Sequence, residues 1–301
     1  MRFACLMPLL LVALLPRPAG AEPAYPFSVA TERNGRSHDI FARNRGPSPV
    51  SVRLTLSATD NVRPNQALPL FAVIRPHSET LLMSVSPADP GRGHRFSVQS
   101  AFQLGSYYAR PDARATYRLP WADGSSAVVS QAPGGLVTTH NAPDSEFAID
   151  FSMPEHTPVV AARDGTVIAT EAGNLFGGKE RSLLAMANYV RILHDDGTIA
   201  TYAHLSPGGV KVAPGQRVRT GTTIGASGAT GYASGPHLHF VVQRLSLQND
   251  NFVALAVPVR FLVGNPPLAF EVRAGQRLTS DYAAPGAPRP QVNEKRAVPA
   301  R

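Results

Sequence analysis

Two histidines one residue apart, His237 and His239, stand in the run Gly235-Pro236-His237-Leu238-His239-Phe240, which continues as Val241-Val242. The apolar, β-branched character of the run predicts a strand, in which positions i and i+2 share a face. Two imidazoles on one rigid face suit a metal ion with an acid/base group beside it, because neutral imidazole is a common zinc ligand. By itself a His-x-His pair is weak grounds for a metal site. Further residues of the same kind strengthen it: His204 closes a predicted strand in Tyr202-Ala203-His204-Leu205, and His140 and Asp150 precede Phe151-Ser152-Met153-Pro154-Glu155-His156-Thr157-Pro158-Val159.

Four ordered blocks carry a resemblance: Ala148-Ile149-Asp150-Phe151, the stretch from Thr157-Pro158-Val159 to Asp164-Gly165, Tyr202-Ala203-His204-Leu205-Ser206, and Gly235 to Phe240. Over about residues 117–264 the chain resembles the lysostaphin and LytM-type zinc endopeptidases, which hydrolyse peptidoglycan. The resemblance implies an antiparallel β-sheet peptidase domain with zinc held by His140, Asp150 and His239, and acid/base work by His204 and His237. Three protein ligands leave one tetrahedral position open for water, as a catalytic site requires, whereas a structural zinc takes four.

Two departures from the family pattern bear on this assignment. Three residues usually separate the first ligand histidine from the aspartate, but nine separate His140 from Asp150, and Asp144 stands at the usual distance. Asp150 is preferred because the residues after it fall in family register, with Asp144 as the alternative. The second departure is His156, where the family usually has glycine before Thr-Pro-Val. That position often needs a positive φ, so the backbone there must differ or be strained. His156 is read as a surface turn residue.

The remaining histidines have simpler expectations. His194, beside Asp195-Asp196-Gly197, is expected to be a solvated turn residue, and His38, His77 and His94 have no acidic or cysteine partner at metal spacing. Tyr202 alternates with His204 and could face the cleft, although an aromatic in a strand more often packs, and Asn188 is expected to cap or turn the backbone before Tyr189.

The elements that must position these groups read as all-β. Residues 27–105 carry period-two apolar stretches, Val50-Val52-Leu54-Leu56, Leu81-Met83-Val85 and Phe96-Val98, separated by turn residues such as Asn34-Gly35 and Asp89-Pro90-Gly91. Short strands at this spacing predict an immunoglobulin-like sandwich. The expected layout is a signal at 1–21, a sandwich at 22–105, a linker at 106–116 and the peptidase domain at 117–264. One further strand fits 265–283, and a basic, proline-rich, disordered tail fits 284–301.

Arg2, the apolar run Leu9–Leu15 and Ala19-Gly20-Ala21 together form an export signal, with the mature chain predicted to start at Glu22. The run is too short for a membrane span, and no later segment reaches the ~20 apolar residues one needs. The one cysteine of the 301 residues, Cys5, lies in that signal, so disulfides are excluded from the mature protein. Loss of Arg2 and Arg17 lowers the formal charge from +8 to +6. No nucleic-acid-binding motif accompanies that charge. The predicted activity is therefore a periplasmic or secreted zinc metalloendopeptidase cutting cross-bridge or stem peptides of peptidoglycan. The alternative is a non-catalytic wall-binding or hydrolase-activating protein on the same fold.

Overall fold

A computed structural model describes residues 25–136, 138–263 and 268–282, with backbone pairing also for 292–293. The export signal at 1–21, and the tail at 284–301 apart from that pair, lie outside the described residues. Apart from one 3-10 turn at Arg181–Leu183, regular structure among them is β. No helix among them is long and apolar enough to cross a membrane.

The amino-terminal strands are β1 (Phe27–Asn34), β2 (Ser37–Asn44), β3 (Val50–Asp60), β4 (Val62–Pro64), β5 (Leu70–Ile74), β6 (Ser78–Pro87) and β7 (Arg95–Leu104). They form two antiparallel sheets, β1-β2-β6-β4 and β5-β3-β7. Ile40, Ala42, Met83 and Val85 from one sheet bury against Val52, Leu54 and Ile74 from the other, so the sheets pack face to face. The expected stretch Leu81-Met83-Val85 needs a correction, since Leu81 is half exposed while Leu82 and Met83 are both buried. Ile40 pairs with Met83 but Phe41 with Leu81, leaving Leu82 as an extra residue in a bulge that inverts the alternation beyond it.

The second half contains β8 (Ser126–Gln131), β9 (Ile149–Ser152), β10 (Pro158–Val160), β11 (Gly165–Glu171), β12 (Gly177–Gly178), β13 (Asn188–Leu193), β14 (Ile199–Leu205), β15 (Arg217–Val218), β16 (Thr223–Ala226) and β17 (Gly231–Tyr232). These are followed by β18 (His237–Gln248), β19 (Asn251–Ala256), β20 (Phe261–Val263), β21 (Leu268–Phe270), β22 (Arg277–Thr279) and β23 (Val292–Asn293). One large sheet runs β15-β11-β13-β14-β18-β9-β8-β22-β23, with β19 also on β18. Trp121, Phe151, Tyr202, Phe240 and Phe261 are fully buried on its core face. Tyr202 therefore packs, with its hydroxyl accepting the Ala162 amide at 2.8 Å. Residues 268–279 supply two strands rather than one, and Leu278 joins the same core as Trp121. The two halves meet where Phe252 of β19 packs against Phe71 and Tyr107. Segment 106–116 is tied down as well, the Arg110 amide donating to the Asp196 carbonyl and the Asp112 amide to the Asp196 carboxylate.

His194 is the clearest reversal of expectation: it is 2% exposed, not solvated. Its Nδ1–H donates to the Asp164 carbonyl at 2.7 Å, while Nε2 has no hydrogen-bond partner. The hairpin that sequence places at the surface turns inward here because Tyr117 covers it, ring to ring at 5.8 Å. Burial pushes the imidazole down to about 4, and nearby Arg163 acts in the same direction against Asp195 and Asp196. The unfolded chain, with an ordinary value near 6.5, then binds more protons between about pH 6.5 and 4. Stability should fall as pH falls through that window, by up to about 3 kcal/mol at ~1.4 kcal/mol per unit. Urea midpoints of wild type and His194→Gln at pH 7.5 and 4.5 would test it. Equal losses in the two proteins would show that His194 does not carry the acid sensitivity.

Candidate metal centre

Cross-strand pairing assembles the site. His239 on β18 pairs with Asp150 on β9 on one side and with Ala203 on β14 on the other, and Ala203 pairs with Tyr189 on β13. These residues form one row across the sheet face opposite the core. Ligand atoms of His140, Asp150 and His239 all lie within 4.8 Å of one another, the one such group of three among the described residues. His140 Nε2 stands 3.4 Å from Asp150 Oδ2, and His239 Nδ1 stands 2.9 Å from Asp150 Oδ1. Donors at about 2.0–2.2 Å on a tetrahedral zinc stand roughly 3.3 Å apart, close to the two imidazole–carboxylate separations here, and imidazole and carboxylate are donors that ion accepts.

Electrostatics tie the carboxylate to the two imidazoles. Asp150 is 3% exposed, and burial alone would raise its pKa; hydrogen bonds and charge from His140 and His239 outweigh it and hold the carboxyl far below the usual range. Burial works against protonated His140, yet the hydrogen bond and charge of Asp150 raise it overall. The His140 ring is further held by a 3.3 Å contact from Nδ1 to the Ala148 carbonyl.

His204 and His237 lie beside this group, their rings 4.5 Å apart. His204 reaches the cleft through a bulge. Tyr189 pairs with Ala203 but Asn188 with Leu205, so His204 is the unpaired extra residue, with φ of 62°. Strict alternation would send its side chain to the face opposite Ala203, and the left-handed residue instead turns it to the cleft. Its Nδ1–H donates to the Thr230 carbonyl at 2.7 Å, leaving Nε2 with a lone pair. Burial, then the charge of His237, push this imidazole down to about 4. His237 Nδ1–H donates to the Gly235 carbonyl at 2.8 Å, and its Nε2 lies 3.9 Å from Asp150 Oδ2.

Two polar residues support that bulge and carried no catalytic signal in the sequence. Thr230 donates its hydroxyl to the Leu205 carbonyl at 2.7 Å and accepts the Asn188 amide at 2.9 Å. Asn188 is fully buried and clamps Asn174 through its side chain, at 2.9 Å from the Asn174 amide and 2.8 Å to its carbonyl. A Cβ at Gly177 would come within 1.6 Å of the Ala229 carbonyl, so only glycine allows β12 to lie against β17, whose Tyr232 lines the cleft.

Asp144 stands outside the donor group, at the cleft rim, where its backbone carbonyl accepts Gln243 Nε2 at 2.7 Å. His156 is exposed in a turn with φ of 62°, so the chain keeps the glycine-like backbone with a strained histidine in it. His38 and His94 hydrogen-bond to each other at 3.1 Å. The cleft measures about 800 Å³ and shares Asp144, Tyr189, Arg191 and Gln243 with a second hollow of about 620 Å³ that reaches Phe102 and Leu104 of β7.

A two-histidine, one-carboxylate group on the open face of this sheet could hold a metal ion, and residues 145–252 match the family model described as Peptidase family M23. That segment is a LytM-type M23 domain. The chain is 37% identical over 107 residues to the glycyl-glycine endopeptidase ALE-1 of Staphylococcus capitis, covering 35% of this chain and 26% of that protein. To the peptidoglycan DD-endopeptidase ShyA of Vibrio cholerae it is 35% identical over 123 residues, covering 41% and 24%. The chain thus spans about a quarter of the length of these curated relatives. Among solved structures, the catalytic domain of lysostaphin from Staphylococcus simulans is 28% identical, covering 43% of this chain and 87% of that one, with a TM-score of 0.30.

Proposed function

We propose that this chain is an exported zinc metalloendopeptidase that hydrolyses peptide bonds of bacterial peptidoglycan. The observation that carries the reading is the convergence of His140, Asp150 and His239 within 4.8 Å, beside His204 and His237, at the floor of an open cleft in an M23 domain. The printed activities of the relatives, glycyl-glycine and DD-endopeptidase, support peptidoglycan peptides as the substrate class. That polymer lies outside the cytoplasm, which agrees with the export signal read at residues 1–21.

Zinc held by His140, Asp150 and His239 would lower the pKa of a water towards ~7 and polarise the scissile carbonyl. The chain's own residues supply the rest. Hydrolysis places hydroxide on the carbonyl carbon and a proton on the departing nitrogen, so a group must take a proton and return one. His204 is placed to accept it, since committing its Nδ1–H to the Thr230 carbonyl leaves the Nε2 lone pair for the proton. His237, held in the same tautomer by Gly235, is its partner in delivering the proton to the leaving amine.

Elemental analysis of the purified mature protein is expected to find one equivalent of zinc. Digestion of defined cross-linked muropeptides, followed by mass spectrometry, is expected to show cleavage that a chelator stops. A protein that holds zinc but cuts no wall peptide would instead point to the non-catalytic wall-binding or hydrolase-activating reading.

A further inference from the structure

His140 and Asp150 come from segments with no short covalent tie, because the intervening Asn141–Phe147 loop loosens the spacing that would otherwise set their geometry. One side chain spans the gap. The Gln131 carboxamide N–H donates to Asp150 Oδ2 at 2.7 Å, and its carbonyl accepts the Thr139 amide at 2.7 Å and the Thr139 hydroxyl at 3.2 Å. Thr139 immediately precedes His140. Because the Thr139 amide can only donate and an ionised carboxylate can only accept, the network fixes which end of the amide faces which partner.

The backbone delivers Gln131 to this place by a bulge. Val128 pairs with Ser152 and Val129 with Phe151, but Asp150 pairs with Gln131 rather than Ser130. By alternation Gln131 belongs with Ala127 and Val129, both buried in the core, and the extra residue moves it to the cleft face. The core contact resumes at Ala132, which is 1% exposed. The Ser130 hydroxyl secures the junction by donating to the Asp150 backbone carbonyl at 3.1 Å.

We propose that Gln131 is a positioning residue of the metal site, holding the Asp150 carboxylate and the His140-bearing segment at the separation that a metal ion requires. The proposal rests on the zinc reading above. Glutamine is suited to the task because it carries a donor and an acceptor on one planar group at the end of a two-methylene arm. Asparagine is one methylene too short to reach both partners, and methionine has nearly the same shape without the hydrogen bonds.

The test compares wild type, Gln131→Met and Gln131→Asn by zinc competition against a chromophoric chelator and by the visible spectrum of the cobalt(II)-loaded protein. Loss of a hydrogen-bond partner of a ligand typically costs 10–100-fold in metal affinity. Both variants are expected to bind zinc about 10–100-fold more weakly and to show altered cobalt bands, with the metal-free far-UV spectrum unchanged. Wild-type zinc affinity and cobalt spectrum in Gln131→Met would overturn the proposal, and Gln131→Asn supplies the same comparison if Gln131→Met does not fold. A wild type that binds zinc but cleaves no muropeptide would refute the peptidase reading while the affinity comparison still decides on Gln131. A wild type without affinity for zinc would refute both.

Discussion

Asp150→Ala is expected to lose the metal and essentially all hydrolysis, while Asp144→Ala keeps both. Asp150 is almost completely buried, and both of its oxygens are engaged: Oδ1 by His239 at 2.9 Å, Oδ2 by Gln131 at 2.7 Å and His140 at 3.4 Å. Removing it takes away the only carboxylate of the donor group and leaves two imidazoles facing a cation without a compensating charge. Metal affinity depends on a complete set of deprotonated donors, so the site should empty. The loss in rate should exceed the ~10²–10⁴ that removing a single acid/base group costs. Asp144 contributes a backbone carbonyl to Gln243, which alanine retains. Zinc content after dialysis, with turnover of one cross-linked muropeptide, checks both variants. Zinc loss confined to Asp144→Ala would move the aspartate ligand to that position.

His204→Ala and His237→Ala should behave in the opposite manner, retaining zinc while hydrolysis falls by ~10²–10⁴. Neither residue belongs to the donor group, and each ring is held by a backbone carbonyl, Thr230 for one and Gly235 for the other. Their loss leaves the three donors in place and removes the groups that would move protons. His239→Ala is the contrast and should lose zinc. Because His204 sits at φ of 62°, His204→Gly is a useful companion: glycine suits that backbone, so a matching rate loss there traces to the imidazole and not to strain. If His237→Ala released zinc while His239→Ala kept it, the roles within the His-x-His pair would be exchanged.

Much of this was legible in the residues themselves. Period-two patterning predicts strands throughout, and strands are what form. Of the three residues that the resemblance implies as ligands, Asp150 and His239 meet because β9 pairs with β18, and His140 stands within reach of both despite its long spacing from Asp150. Position 156 shows how far local reasoning carries: a glycine-favouring site occupied by histidine implied either a changed backbone or a strained one, and the backbone is strained.

What the sequence could not decide follows from one physical fact, that strand alternation is a local signal whereas register is set by long-range pairing. Bulges interrupt the alternation at Leu82, Ser130 and His204, and each moves a side chain, Gln131 in the second case, to the face its spacing does not predict. Burial of His194 beneath Tyr117 depends on a segment 77 positions away in the chain. The sequence by itself determined which residue types could hold a metal and move protons, because those properties belong to single side chains. The tertiary structure alone decided which faces they occupy and which neutral residues, Gln131 and Thr230 among them, hold them there, because those outcomes depend on partners from distant segments.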